Sequence, residues 1–258
     1  MKKENEIRRT GLARALSKLG YCSRSQAVLL IRAGRVRLNG TTQCDPEQAV
    51  RLGIDRIEVD GSLARSTASI YLMLNKPRGV VTTAWDEKGR ETVYACLGDG
   101  LPWVAPVGRL DKASEGLLLL TNDSEWAARI TAPETHLENT YHVQVDTVAG
   151  ATLTEILMSG IAVRTGEQLR VKSARILRRG ERNTWLTVIL DEGRNRHIRR
   201  MLESLGIGVL RLIRVSIGPL VLGDLAKGAH RALTVREQAA LDAAMLQSAG
   251  IPSNMRRR

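Results

Sequence analysis

Phenylalanine is missing from this 258-residue sequence, and aromatic residues together make up only 3% of it. A broad stacking platform for single strands of nucleic acid needs many exposed rings. That mode of binding is not expected, and any base stacking must rest on one or two chosen rings. Cysteine is scarce as well: Cys22, Cys44 and Cys96 are odd in number and widely spaced. Neither a disulfide framework nor a CxxC-type zinc site follows, and a reducing cytoplasm fits. There is no run of about 18 apolar residues, which argues against a transmembrane helix and a membrane partner. The opening MKKENEIRRT is charged but has no apolar stretch behind it, so no secretory signal is read there. P-loop, HExxH and GxSxG patterns are absent, and Trp103 stands where a third glycine would complete GxGxxG in GDGLPW. His136, His142, His197 and His230 are scattered. No metal, nucleotide cofactor or other cofactor is expected.

What the chain does have is positive charge. Lys and Arg number 39 against 27 Asp and Glu, a net +12. Such a field attracts polyanions, and arginine, which greatly outnumbers lysine, suits phosphates and base edges. The plainer alternative is a soluble basic protein with no nucleic-acid role. With 43% hydrophobic residues, the length allows one large domain or two unequal ones.

The first block is read over residues 11–61, after a tail at 1–10. LARALSKLG spaces Leu12, Leu16 and Leu19 for a short amphipathic helix closed by Gly20. SRSQAVLLIRAG opens with a capping box, Ser23 and Gln26, buries Ala27, Leu30 and Ile31, and stops at Gly34. RVRLNG and RIEVDG alternate like strands and end in Asn39-Gly40 and Asp60-Gly61, both hairpin signals. Residues 1–69 hold 13 basic against 7 acidic residues. Arg14, Lys18, Arg24, Arg35 and Arg37 gather around the second helix and the strand after it, either as a solvated face or as an RNA contact. Ser23-Arg24, Gly34-Arg35-Val36 and Asn39-Gly40 resemble the S4 RNA-binding module, and the resemblance implies structured RNA as the partner of these residues, Ser23 included.

Small polar residues at 62–69 read as a linker. The larger block is read over 70–243, with a tail at 244–258. Strands are expected at IYLMLNK, the leucine run, TYHVQVD, QLRVKSARIL and WLTVIL. Helices are expected at EWAARIT, TLTEILMSG, NRHIRRMLESLG and REQAALDAAMLQ. The mixture lacks strict alternation, so the fold class is α+β: two helices on a short sheet, then a mixed, mostly antiparallel sheet with flanking helices.

Three segments can carry chemistry. In GRLDKASEGLLLLTND, two glycines and a buried strand could hold Asp111 still, or Asp111 could be an ordinary turn residue. A pair with Glu115 would suggest glycoside hydrolysis. In ENTYHVQVD, Tyr141 is either an edge residue packing on the sheet or the ring for a base. In EGRNRHIRRMLESLG, Ile198, Met201, Leu202 and Leu205 form a buried stripe, and Arg196, Arg199, Arg200 and Glu203 lie away from it.

Together with LNKPRGVVTT and PLVLGDLAKGAHRALT, these segments resemble the RNA pseudouridine synthases. The branch is the one that modifies single uridines in ribosomal RNA and carries an N-terminal S4 module. The resemblance spans about residues 11–243. It implies that Asp111 is the catalytic aspartate, Tyr141 the base-stacking ring and Arg199, with Arg196 next in line, the basic partner of Asp111. It also implies Arg109, Leu110, Arg196 and Arg200 as substrate contacts, with ribosomal RNA the partner of a monomer. Asn139 replaces a lysine frequent in the family, and His197 replaces a glutamine. Sites in both ribosomal subunits are served by such enzymes, and the large subunit is the expectation carried forward. A non-catalytic RNA-binding or ribosome-assembly factor on the same fold is the competing reading, with a glycosidase a distant third.

Overall fold

The computed structural model describes residues 9–65, 67–98 and 100–249, and its contacts divide the chain into two units. The outer parts of the expected tails, residues 1–8 and 250–258, lie outside the described residues.

In the first unit, residues up to 70 with the segments 100–105 and 121–124, β1 (Arg9–Gly11) runs straight into α1 (Leu12–Lys18). α1 ends where Gly20 takes a φ of +72°, a conformation that side chains resist. α2 (Arg24–Arg32) starts at the expected capping box: Ser23 Oγ accepts from the Gln26 N–H and the Gln26 side chain accepts from the Ser23 N–H, both at 3.1 Å. There follow β2 (Val36–Leu38), β3 (Thr41–Gln43), β4 (Ala49–Arg51), β5 (Ile57–Val59) and β6 (Ser62–Leu63). The sheet order is β3-β2-β5-β6, with β1 paired to β4. Asn39-Gly40 and Asp60-Gly61 both have positive φ at two successive residues, the turn that matches strand twist in a two-residue hairpin. Leu12, Leu16, Ala27, Ile31, Val36 and Ile57 are fully or almost fully buried together. Two details differ from the sequence reading. Arg9 and Thr10, expected in a tail, pair with β4, and Ser62–Leu63, expected in a linker, pair with β5. Short edge strands with polar side chains leave little periodic signal.

The second unit is built on a nine-stranded sheet. Its elements begin with β7 (Tyr71–Lys76), β8 (Ala105–Val107), β9 (Glu115–Thr121), α3 (Ser124–Thr131) and β10 (Asn139–Val145). α4 (Ala151–Ser159) and the separate pair β11 (Ile161–Ala162) and β12 (Gln168–Leu169) come next. Then come β13 (Ser173–Arg179), β14 (Thr184–Leu190), α5 (His197–Ser204), β15 (Val209–Ile217), β16 (Leu220–Val221), β17 (His230–Ala232) and α6 (Val235–Ala249). The sheet runs β13-β14-β10-β15-β9-β7-β17. β15 lies parallel to β9, whereas β10 is antiparallel to both β14 and β15. The mixed sheet and the α+β class agree with expectation.

All seven residues of β9 are buried, which explains its continuous apolar run: a strand covered on both faces does not alternate. Each of Leu117 to Leu120 is fully buried, worth about 1.5–3 kcal/mol apiece relative to exposure. Leu153, Leu157, Ile198 and Met201 from α4 and α5 pack on Val143 and Leu186, while Trp126 and Leu241 pack with Leu117 and Leu119. Three corrections arise here. β15, the strand that joins the two halves of the sheet, has no counterpart in the sequence reading, because Arg211 and Arg214 interrupt its apolar pattern. QLRVKSARIL is divided between two strands. A boundary at 243 falls inside α6, which continues to Ala249 and buries Met245.

Candidate active site

The loop between β8 and β9 is held by its backbone. Lys76, at 0% exposure, points Nζ into it and donates to the carbonyls of Pro77 and Asp111 at 3.1 Å and of Ser114 at 2.9 Å. The Gly79 N–H donates to Lys112 O at 2.8 Å, and Arg199 Nη2 donates to Ala113 O at 3.0 Å. Four consecutive carbonyls, from Asp111 to Ser114, thus have donors. Ahead of them Thr82 Oγ1 donates to Leu110 O at 2.8 Å and accepts from the Leu110 N–H at 3.3 Å. Gly116, at φ +102°, completes the anchorage: a Cβ there would lie 2.2 Å from Arg214 O, so only glycine lets β15 approach this closely.

The side chain of Asp111 is left for other work. It lines a cavity of about 630 Å³ shared with Arg109, Leu110, Tyr141, Arg196 and Arg214. That volume lies within the range of small-molecule sites, about 300–1,000 Å³. Among the described residues Asp111 makes no ion pair and no side-chain hydrogen bond. Tyr141 projects from β10 opposite Arg214 on β15 and packs against the core beneath. Arg214 is 7% exposed; its Nε donates to Leu117 O at 2.8 Å. A second cavity, of about 540 Å³ beside Arg170 and Glu192, contains neither Asp111 nor Tyr141.

The residues singled out from sequence sort as follows. Asp111, Leu110, Tyr141, Arg109 and Arg196 meet at the cavity. Arg199 is half-buried behind the loop rather than on the cavity wall. Burial, then Arg196, lowers its pKa, and the charge of Asp111 works the other way. Arg200 is turned to Thr165 and Glu167, at 2.8 and 2.6 Å, and is not on the wall, because its position on α5 faces the segment between β11 and β12. Glu115 is not across the cavity from Asp111. It is 2% exposed and bound by Arg211 at 3.0 and 2.9 Å and Lys227 at 2.6 Å. Burial pushes its pKa up, but those two cations outweigh it and hold it at about 2. The carboxylate pair required for glycoside hydrolysis is therefore not assembled. His197 and Asn139, the two departures from the resembled pattern, both line the cavity. Burial keeps the His197 pKa below its usual value, and the Asn139 amide donates to Leu137 O at 3.1 Å.

Lys76, Thr82 and Arg214 escaped the sequence reading. A lysine at a buried position of the strand YLMLNK was the available signal for the first. Arg214 was hidden with its strand. In the first unit, Arg14, Arg24 and Arg37 are exposed. Arg35 is bonded to Asp60 through two nitrogens, and Ser23 Oγ serves the capping box. Among the described residues no group of three or more His, Cys, Asp or Glu could hold a metal ion, and no helix is long and apolar enough to cross a membrane.

Residues 70–204 match the family model described as RNA pseudouridylate synthase, and residues 10–53 match the S4 domain. An uncharacterised RNA pseudouridine synthase of Rickettsia conorii is 36% identical over 225 residues, covering 85% of this chain and 94% of that protein. The ribosomal large subunit pseudouridine synthase B of Bacillus subtilis is 34% identical over 227 residues, covering 88% and 93%. A crystal structure of a pseudouridylate synthase superposes with a TM-score of 0.61 at 31% identity, covering 90% of this chain and 99% of the other.

Proposed function

Since the chain belongs to the RNA pseudouridylate synthase family and carries an S4 domain, we propose that it converts a uridine of ribosomal RNA to pseudouridine with Asp111 as the reacting carboxylate. The observation that carries this is the unpaired Asp111 side chain on a loop whose four successive carbonyls are all bonded, facing a cavity that also holds Tyr141. Uracil leaves its N1–C1′ bond, turns, and rejoins the same ribose through C5; the proton lost from C5 is balanced by one gained at N1. No redox partner or phosphate energy enters. The base must first leave its stack, at a cost of a few kcal/mol, and Tyr141 receives it by face contact. The carboxylate acts during bond cleavage as nucleophile or base, and Arg199, bonded to the same loop through Ala113 O, supplies a positive charge that interacts with it. Arg109 and Arg196, exposed at the mouth, meet backbone phosphates.

The large ribosomal subunit is the favoured target, supported by the name of the Bacillus subtilis relative. Three free thiols support a reducing cytoplasm as the place of action, and the enzyme is read as a monomer. The test is tritium release from ribosomal RNA labelled at uridine C5. Asp111→Asn abolishes release and leaves RNA affinity nearly intact. Retained turnover would remove Asp111 from the chemistry.

A further inference from the structure

One buried cation in the cavity has bonding capacity that the fold does not use. Arg214 gives its Nε to Leu117 O, but its Nη2, also buried, has no partner. A dry charged donor without an acceptor is costly. Such a group marks a place where the acceptor comes from outside the protein. Its position narrows what that acceptor is. Arg214 stands opposite Tyr141 on one side and beside Gly116 on the other, and residues directly opposite project from the same sheet face. The ring, the guanidinium and the Asp111 loop therefore sit on three adjacent strands. Arg109 and Arg196 are exposed, where phosphates pass, whereas Arg214 is on the floor of the cavity. The part of a nucleotide that penetrates deepest is the flipped base.

Resting on the function proposed above, we infer that Arg214 donates from Nη2 to a carbonyl oxygen of the flipped uracil, O2 or O4. As the N1–C1′ bond breaks, its electron pair goes to the base and spreads onto the ring nitrogens and both carbonyl oxygens. A fixed guanidinium beside one of those oxygens gains strength as the charge develops, and the hydrogen bond becomes charge-assisted on both sides. When C5 bonds to C1′ the charge is withdrawn and the contact weakens, which permits release. Arginine keeps its proton throughout, so Arg214 holds charge and moves none.

The experiment compares Arg214→Met and Arg214→Lys with the native chain on ribosomal transcripts tritiated at uridine C5, in single turnover, with melting temperature and RNA affinity measured alongside. Removal of one such preorganised donor is expected to slow the Met variant by about 100-fold or more with RNA affinity nearly unchanged. The Lys variant, which keeps the charge but not the planar fork, recovers part of that loss. Transcripts carrying 2-thiouridine or 4-thiouridine supply the second readout. Sulfur at the contacted position slows the native enzyme but adds nothing to the loss in Arg214→Met, and the arm that shows this coupling names the oxygen. If neither thio arm couples while a backbone phosphorothioate does, Arg214 binds phosphate and the assignment falls. A Met variant that melts lower but turns over normally per folded molecule also overturns it. Absence of turnover by the native chain on any ribosomal transcript would instead overturn the function on which the assignment rests.

Discussion

Asp111 and Glu115 are four residues apart and have opposite surroundings. Glu115, at the start of β9, is enclosed and saturated by Arg211 and Lys227, which keep it ionised down to a pKa of about 2. Asp111, in the loop before β9, has no cation within pairing distance among the described residues, yet its own carbonyl and the next three are all bonded. A carboxylate can be immobilised through its side chain, which uses up its lone pairs, or through the backbone, which leaves them available. The first arrangement serves the fold, and the second is what the reacting carboxylate proposed above requires.

The largest effect that separates the two is the loss of turnover in Asp111→Asn, with little change in stability. Next comes Lys76→Met, which tests whether backbone bonding is what fixes Asp111. Three carbonyls lose their donor at once, and each buried unsatisfied group costs about 1–3 kcal/mol. Displacement of the loop by about 1 Å is expected to lower turnover by about 100-fold. Burial lowers the Lys76 pKa to about 8, against the pull of Asp111, Cys96 and Glu115. Above that pH a neutral amine offers two N–H groups to three carbonyls, so turnover falls on the alkaline side. Stability moves the other way. Between about 8 and the ordinary 10.5 the unfolded chain binds more protons at this position, so this group's contribution rises with pH. Activity and urea-unfolding profiles measured together check this; parallel curves would remove Lys76 from the anchor.

Glu115→Gln sharpens the contrast from the other side. It should cost on the order of 1–3 kcal/mol at pH 7, read by urea unfolding, while turnover per folded molecule stays within a few-fold. The sign follows from a folded pKa of about 2, below the ordinary 4.5. The stabilisation is present above 4.5 and is lost as pH falls toward 2, so the Gln variant shows a flatter acid dependence. A Gln variant that is stable but inactive would make Glu115 part of the chemistry.

The sequence was most legible where a residue's role is local. The Ser23 capping box, the Asn39-Gly40 turn and the leucines of β9 depend on neighbours a few positions away, and each was found as read. The Asp111 loop was visible as a motif, but its anchor was not. Lys76 reaches it across 35 to 38 residues, and a lysine inside an apolar strand looks like an interruption until its three acceptors are known. Arg214 was concealed for the same reason: β15 derives its place from pairing with β9 and β10, not from its own pattern. Spacing showed only that Arg199 and Arg200 both lie off the buried stripe of α5; neighbours on a helix point about 100° apart, and Arg200 pairs with Glu167 rather than facing the cavity.

The smallest effects belong to the first unit, where the same distinction between engaged and available charge applies to two arginines. Arg35 and Arg37 were read together as RNA contacts, but Arg35 is held by Asp60 at the hairpin turn and Arg37 is exposed, with no ion pair among the described residues. Each phosphate contact contributes roughly one unit to the slope of log affinity against log salt. Arg37→Ala should therefore reduce that slope by about 1, whereas Arg35→Ala should change it less because its charge is already offset. Asp60→Ala frees Arg35 and should steepen the slope. Filter binding to ribosomal RNA across a salt series measures all three. Equal slopes for the two arginine variants would mean that the Asp60 pair opens when RNA arrives, and a flatter slope in Asp60→Ala would mean that the pair holds the hairpin in the shape RNA needs.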